Sequence, residues 1–282
     1  MKTEIKERLL QFHTLGKSGA LGDNIKDAYF EYEQVQNGIP TLIKGIDEFY
    51  GTNIGHENSL FMMEDLFCQY FILIYKETKK RNKEVAGALI DSFIDDFPDT
   101  NNTCIYPSYE ELMKISNIFK RYSRTDDEIL LWEQSKSVIQ AFNELLDKLL
   151  EYFIICWRCA QDKKYSTKIF KNTYGSKFNE FKELTNGEDG VFYLLFRIGD
   201  PHLRNAITHK SIWFDKENYV VNYTDREKSF SIDFVDFMVF AYFACNFPQV
   251  LIISFAMLGV LINGSRDEIK KLPSHIIKLF SI

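Results

Sequence analysis

The sequence predicts a protein built almost entirely from α-helices. Its apolar residues recur mostly at the spacing of three and four that places them on one side of a helix. Only 6 Pro and 14 Gly occur among the 282 residues, so few positions would break long helices. Hydrophobic residues make up 45% of the chain and charged residues 26%, a balance typical of folded globular proteins. A chain of this length can enclose a large apolar core.

Residues 1–125 are expected to form a separate helical region. Amphipathic patterns predict helices over residues 1–15, 24–36, 58–80, 83–97 and 108–123. The stretch "PDTNNTCIYPS", with its two prolines and cluster of Asn and Asp, predicts a loop before the last of these helices. We place a domain boundary after residue 125. No motif in this region indicates a role, and a surface for a regulatory protein partner is one candidate.

The second predicted domain, residues 126–282, opens with the longest periodic segment of the chain. A helix is expected over 126–162, with Asp126 and Asp127 at its start, where negative charge is favourable. A basic connector follows it, and three shorter helices are then expected, over 176–184, 189–198 and 201–210. The alternating stretches "NYVVNYT" and "KSFSID" on either side of "DRE" predict a β-hairpin. The domain is therefore expected to be a helical bundle with one small hairpin.

An uncharged apolar segment lies at 237–262. Pro248 is near its middle, so the segment is expected to form two helices rather than one. Its length also meets the requirement for a membrane span. Two alternatives therefore stay open. The segment either forms helices buried in the core or in a dimer interface, or it is a membrane anchor. The N-terminal stretch lacks the apolar core of a signal peptide, and the five cysteines are odd in number without regular spacing. A cytoplasmic protein with reduced thiols is therefore expected.

The distribution of charge bears on the class of ligand. A net charge of −6 and a pI of about 5.5 argue against a general polyanion binder, although a local basic groove is compatible with both. Residues 158–182 hold seven basic side chains against Asp162 and Glu180, interleaved with five aromatic residues. This mixture suits single-stranded RNA, whose bases stack on aromatic rings, while the alternative is a solvated connector whose rings face the core. The candidate RNA-binding lysines are Lys163, Lys164, Lys168, Lys171 and Lys177.

The stretch "DPHLRNAITH", residues 200–209, holds the strongest candidate site. Asp200 and Pro201 are a typical helix start. One face of the helix is apolar and is expected to contact the core through Leu203, Ala206 and Ile207. The opposite side carries the polar side chains of His202, Arg204, Asn205 and His209. Asn205 and His209 are one turn apart and are therefore neighbours.

These polar side chains suit cleavage of a phosphodiester. The imidazole of His209 can take or give a proton near neutral pH, and the guanidinium of Arg204 can bind a phosphate and stabilise transition-state charge. Asn205 can orient either partner. RNA supplies its own nucleophile in the 2′-OH, so neither a metal nor a cofactor is expected. His202 is a candidate RNA contact or second proton carrier, and an ordinary surface histidine near a helix start is the alternative.

The motif "LRNAITH" on a helix, followed by a polar hairpin and an apolar helix, resembles the ribonucleases of the HEPN superfamily. These carry an Arg, four to six further residues and a His, often with Asn, His or Asp directly after the Arg. Arg204, Asn205 and His209 match at the four-residue spacing. The toxin subgroup has a Tyr two residues after the His, where this chain has Ser211. The resemblance covers roughly 126–262.

The resemblance implies a bundle of four or five helices and a homodimer, joined through its C-terminal helices. The two motifs of such a dimer meet in one metal-independent endoribonuclease site. The implied substrate is single-stranded RNA or a structured loop. The implied setting is prokaryotic defence, a toxin system or a stress response.

Two hypotheses in which the protein is not an enzyme stay open. Arg204 can pair with Asp200, one turn before it, while His209 ends the helix, and the bundle would then be a non-catalytic binding or regulatory module. A membrane-anchored helical protein is the other. Cys156 and Cys159 form a lone C-x-x-C within a helical pattern, so buried packing is expected there rather than a zinc site.

Overall fold

The computed structural model describes Ile43, Ile46 and residues 59–123 and 127–281. The chain packs as two compact units. We call Glu77–Pro248 the central unit, and Met1–Lys76 with Gln249–Ile282 the terminal unit. The described residues are mostly helical and include one three-stranded antiparallel sheet, which confirms the predicted predominance of α-helix.

The helices of the described residues are α1 (Ser59–Arg81), α2 (Lys83–Asp91), α3 (Tyr106–Tyr122), α4 (Glu128–Ala160), α5 (Tyr174–Leu184), α6 (Tyr193–Ile198), α7 (Pro201–Thr208), α8 (Phe234–Asn263), α9 (Arg266–Ile269) and α10 (Ser274–Ser281). Short 3₁₀ turns lie at Thr167–Lys171 and Gly187–Asp189. The strands are β1 (Ile212–Asp215), β2 (Val220–Asp225) and β3 (Lys228–Asp233).

Helix α4 is the scaffold of the central unit. Asp127 caps its start by accepting the N–H groups of Ile129 and Leu130, at 3.0 Å each. Buried apolar residues follow at helical spacing: Val138, Phe142, Leu145, Leu149 and Phe153. The ring of Phe142 meets three α8 rings edge to face, those of Phe240, Phe243 and Phe247. Helices α3, α5 and α7 also pack against α4, so its middle supports the motif helix.

The predicted hairpin is confirmed as β2 and β3. Asp225 lies opposite Lys228 across a two-residue turn, in which Arg226 has a φ of 57°. Strand β1 adds a third strand, with Ile212 opposite Tyr223 of β2. The sequence did not indicate β1, because four residues are too few to show an alternating pattern. Strand β2 also contacts α7, which brings the hairpin to the motif helix.

In the terminal unit, α1 packs against the second half of α8. Phe71 meets Phe255 edge to face, with ring centroids 5.3 Å apart. The hydroxyl of Ser254 lies 3.3 Å from the sulfur of Cys68. Burial raises the pKa of Cys68 to about 12, so this thiol stays protonated at neutral pH.

The prediction of two helices at 237–262 is wrong. Phe234–Asn263 form one helix with Pro248 inside it. Proline removes a backbone donor at a cost of about 3 kcal/mol. Buried neighbours on either side, such as Phe247 and Leu251, offset this cost. By length and composition α8 is able to cross a membrane, but most of it is buried, and the core helix of a soluble protein passes the same test.

The other predicted helices differ mainly at their ends. The bounds of α1, α3, α4, α5 and α7 lie within two residues of the prediction. The helix predicted over 83–97 ends at Asp91, because Asp96 organises a loop by accepting the N–H groups of Asn102, Thr103 and Cys104. The helix predicted over 189–198 begins at Tyr193, after a 3₁₀ turn.

The structure does not test two predictions for the first part of the chain. The helices predicted over 1–15 and 24–36 lie outside the described residues. The domain boundary predicted after residue 125 stays a prediction. Helices α2 and α3, which precede it, belong to the same central unit as α4.

Candidate active site

The start of α7 forms as the sequence predicts. The carboxylate of Asp200 accepts the N–H groups of His202 at 2.8 Å and Leu203 at 3.1 Å. Its other oxygen accepts the hydroxyl of Tyr223 at 2.8 Å, which ties the cap to β2. Leu203 and Ala206 are buried as expected, whereas the third predicted core residue, Ile207, is only half-buried.

A buried amide fixes α7 to α4. The side-chain oxygen of Asn143 accepts the hydroxyl of Tyr174 at 2.8 Å and the backbone N–H of Asp200 at 3.2 Å. The amide nitrogen of Asn143 donates to the carbonyl of Ile139 at 2.9 Å. Burial raises the pKa of Tyr174 well above its usual value, so its hydroxyl remains a donor. The motif helix is therefore held to α4 through a buried, hydrogen-bonded amide.

Arg204 pairs with a residue that the sequence did not indicate. Its Nε and Nη2 both donate to Glu144 Oε1 of α4, at 2.8 and 2.7 Å. Its Nη1 donates to the side-chain oxygen of Asn205 at 3.3 Å. The alternative pair with Asp200 is not formed. The guanidinium contacts Glu144 instead, while the Asp200 carboxylate accepts from the two capped N–H groups and from Tyr223. The guanidinium is thus positioned next to the Asn205 amide.

Asp225, at the end of β2, joins two polar residues of α7. Its Oδ2 lies 2.7 Å from Nδ1 of His202 and accepts the amide of Asn205 at 3.2 Å. The hydrogen bond with His202 lowers the pKa of Asp225, burial opposes this effect, and the Asn205 amide lowers the pKa further. The ring of His202 stacks on Phe230 of β3, with centroids 4.9 Å apart.

His209 lies at the end of α7, where its backbone N–H donates to the carbonyl of Asn205 at 2.9 Å. Its side chain is exposed and makes no hydrogen bond or ion pair with any residue that the structure describes. Lys210 follows in the left-handed region, with φ of 58°, and ends the helix. His202, Asn205 and His209 are spaced by three and four residues, so they share one side of α7.

A surface cleft of about 330 Å³ opens next to this site. One wall is a single face of α4 and the other is the end of α7 with the start of β1. The lining residues are Glu133, Lys136, Ser137, Gln140, Ile207, Lys210 and Ile212.

The basic connector runs back along α4 towards the motif helix. Arg158, near the end of α4, donates to the carbonyl of Lys164 at 3.2 Å. Further on, Phe170 packs against Tyr152 with ring centroids 5.8 Å apart. The connector ends at Tyr174, beside Asn143. Four of its lysines are exposed and form no ion pair with a described residue: Lys163, Lys164, Lys168 and Lys171.

Lys177, the fifth predicted RNA-binding lysine, does not fit that role. It is buried, and its ammonium lies 2.6 Å from carboxylate oxygens of both Asp147 and Glu151. A cation in this position cannot reach a phosphate without breaking two buried contacts. Burial also raises the pKa of Glu151, against the effect of Lys177, which lowers it. Lys177 therefore stabilises the contact between α5 and α4.

The aromatic residues of the connector divide between core and surface. Tyr174, Phe178 and Phe181 are buried. For these three rings, the alternative interpretation is right, in which the aromatic residues face the core. Phe170 is half-buried against Tyr152. Tyr165 is the exposed member of this group, and its ring meets Phe97 edge to face with centroids 6.4 Å apart.

The thiols of the C-x-x-C and the acidic side chains bear on whether a metal could bind. Cys156 and Cys159 are buried in α4, and burial raises the pKa of Cys156 to about 12, so the C-x-x-C serves helix packing. Among residues 59–123 and 127–281, no group of three or more His, Cys, Asp or Glu side chains is arranged to hold a metal ion.

Comparison of the chain with models of protein families, with curated proteins and with solved structures finds no match.

Proposed function

We propose that the chain is a HEPN-type, metal-independent RNA endonuclease that acts as a homodimer. The main observation in support of this proposal is the arrangement of polar side chains on α7. Arg204 and Asn205 contact each other, and His209 is exposed on the side that Asn205 shares. The cap and the buried residues of α7 hold the helix, and His209 contributes only its backbone N–H, so its side chain is not needed for folding. An exposed imidazole that the fold does not need is available for chemistry.

Arg204 is positioned without being fully occupied. Glu144 takes Nε and Nη2, while Nη1 points to Asn205 and retains a second hydrogen. A phosphate oxygen can accept from that edge of the guanidinium. The cation then stabilises the additional negative charge of the transition state.

The reaction proposed is an internal transesterification. The 2′-oxygen of the RNA attacks the adjacent phosphorus, and the bond from phosphorus to the 5′-oxygen breaks. The products are a 2′,3′-cyclic phosphate and a 5′-hydroxyl. His209 transfers a proton as general acid or base, and Asn205 orients the phosphate or the imidazole. No water or metal ion takes part in this step.

An exposed apolar stripe supports the homodimer. Val235, Val239 and Tyr242 of α8 are exposed at spacings of four and three, so they lie on one helix face. Tyr242 packs on Phe119 of α3, next to the exposed Tyr122. These residues belong to the same central unit as the motif. Apolar surface of this kind is typical of protein interfaces, and a second copy of the chain is the proposed partner.

The four exposed lysines of the connector support RNA as the substrate. They give a protein of net charge −6 a local basic segment that leads to α7. Phosphates of a single strand or of a structured loop can pair with them, and Tyr165 can stack on a base. A role in defence, as a toxin or in a stress response is part of the proposal because the family resemblance implies it. A cytoplasmic setting is part of the proposal because the thiols are expected to be reduced.

The test is cleavage of RNA by the purified protein in the presence of EDTA. The wild type should release fragments, while Arg204→Ala and His209→Ala should each lower the rate at least about 100-fold. Thermal unfolding of His209→Ala should match the wild type, because this side chain is exposed. Arg204→Ala should lower the unfolding midpoint only slightly, because its ion pair with Glu144 is partly exposed. Arg197→Ala and His275→Ala, at exposed positions elsewhere, are matched controls that should cut normally. Wild-type cleavage by His209→Ala would refute the proposal.

A non-catalytic binding module is the second candidate. The ion pair of Arg204 with Glu144 favours it, since a structural role can account for this pair alone. A purified dimer that leaves total RNA intact in EDTA, and also in Mg²⁺, would support this candidate. A membrane anchor, which the length of α8 keeps open, predicts that the protein partitions into detergent or vesicles.

A further inference from the structure

A second imidazole lies on the same side of α7 as His209. We propose that His202 is the general base of the site and takes the proton from the attacking 2′-OH, while His209 gives a proton to the leaving oxygen. This inference rests on the proposed nuclease function and assigns the two proton transfers to separate residues of one helix.

The ring of His202 is held in a single orientation. Its Nδ1 lies 2.7 Å from Asp225 Oδ2, and its face stacks on Phe230 with an interplanar angle of 25°. Phe230 is stacked in turn on Tyr223, with centroids 5.1 Å apart. The side chain of His202 still has 44% of its surface exposed. An imidazole fixed on one side and open on the other is suited to accept a proton at its free nitrogen.

The free nitrogen is Nε2, and the contact with Asp225 decides its state. The lowered pKa of Asp225 keeps this group a carboxylate at neutral pH, and a carboxylate only accepts hydrogen bonds. The proton between the two residues therefore belongs to Nδ1 of His202. In the neutral ring Nε2 then carries a lone pair and is an acceptor, as in other carboxylate-oriented histidines.

The charged groups around His202 leave Nε2 unblocked. Asp225 of β2 contacts Nδ1, and the positive charge of Arg226 in the adjoining turn lowers the pKa of Asp225. Asp200 at the helix start is occupied by backbone N–H groups and Tyr223. On the neighbouring flank of α7, Arg204 is engaged by Glu144. No other ion pair of a described residue involves His202.

The distance between the two histidines suits one phosphodiester. His209 follows His202 by seven positions, which places their Cα atoms about 10 Å apart along the helix axis. An in-line arrangement of 2′-oxygen, phosphorus and 5′-oxygen, with one hydrogen bond at each end, also spans about 10 Å. Asn205 lies between the two histidines along α7, and its side-chain oxygen accepts from the guanidinium of Arg204.

The proposed step is balanced. The 2′-oxygen forms a bond to phosphorus as its proton passes to Nε2 of His202. The bond from phosphorus to the 5′-oxygen breaks as that oxygen takes a proton from His209. The enzyme is left with His202 protonated and His209 neutral, and exchange with water restores both. No oxidant, metal ion or other reactant is consumed.

The first test is His202→Asn. The amide nitrogen of Asn occupies the position of Nδ1, so it can keep the bond to Asp225 while the proton acceptor is lost. Cleavage should fall at least about 100-fold with an unchanged thermal unfolding midpoint. Added imidazole should restore part of the activity of His202→Ala, which a structural role would not allow. His275→Ala is the matched control, because His275 is 46% exposed and pairs with Asp65 at 2.9 Å.

The second test separates the two roles with RNA that has sulfur in place of the 5′-oxygen at the cleaved bond. Thiolate leaves without a general acid, so His209→Ala should regain cleavage on this substrate, whereas His202→Asn should remain slow. Wild-type activity of His202→Asn, or its recovery on the sulfur substrate, would overturn the inference while the nuclease proposal stands. A wild type that cuts neither substrate would overturn both.

Discussion

Lys171 and Lys177 are six positions apart and have opposite surroundings. Lys171 is exposed on the connector and has no ion pair with a described residue. Lys177 is buried between Asp147 and Glu151. The difference arises because Lys177 lies in α5 and faces α4, whereas Lys171 precedes the helix. The presence of a lysine in the sequence therefore does not show that it can bind RNA. Only an exposed lysine is able to reach a phosphate.

We expect the double variant Lys168→Glu and Lys171→Glu to weaken RNA binding by about tenfold or more at physiological salt. Each lost phosphate contact should also lower the slope of log affinity against log salt by about 0.7. Fluorescence anisotropy across a salt series measures both quantities. Lys114→Glu, at an exposed lysine of α3, is the control. Equal effects of the two variants would exclude the connector as the binding surface.

Local sequence signals identified only part of the site. Asp200, Leu203 and Ala206 were predictable, because capping and helical spacing act over a few residues. Glu144 and Asp225 were not, since they lie 60 and 20 positions from the residues they contact. Nothing near either carboxylate distinguishes it from the other acidic residues of the chain. Their positions follow only from the packing of α4 and β2 against α7.

Helix α8 has two kinds of surface in the central unit. Phe237, Phe243 and Phe247 are buried, whereas Val235 and Val239 are exposed. The buried rings face α4, which explains why the helix persists through Pro248. The sequence alone suggested a break there, because a proline signal is local and the packing that opposes it is not. The exposed valines are not part of the core formed by the described residues. The proposed dimer interface would bury them.

Val239→Asp should dissociate the dimer and abolish cleavage without unfolding the chain. A charge on an exposed position costs the monomer little, but it is expensive in an apolar interface. Sedimentation velocity should show an increase in dimer dissociation constant of at least about tenfold. The control is Val191→Asp, at an exposed valine outside α8. A variant that stays dimeric and active would exclude this face as the interface.

At the scale of the whole molecule, an acidic chain carries a local basic segment in its connector. The net charge of −6 disfavours indiscriminate binding to nucleic acid, and the connector supplies local positive charge along α4. The same helix positions Arg204 through Glu144 and anchors α7 through Asn143. Substrate binding and chemistry are thus proposed to share one scaffold in the central unit. A requirement for the RNA 2′-OH follows from the absence of any enzyme nucleophile in the proposed step.

The most direct test of this account is the chemical nature of the cut. An RNA oligonucleotide is digested in EDTA, the site is mapped, and the 3′ end of the upstream fragment is identified by mass spectrometry. We predict a 2′,3′-cyclic phosphate, and no cleavage at that site when its single 2′-OH is replaced by hydrogen. Cleavage of the 2′-deoxy substrate at the same position and rate would contradict the central claim.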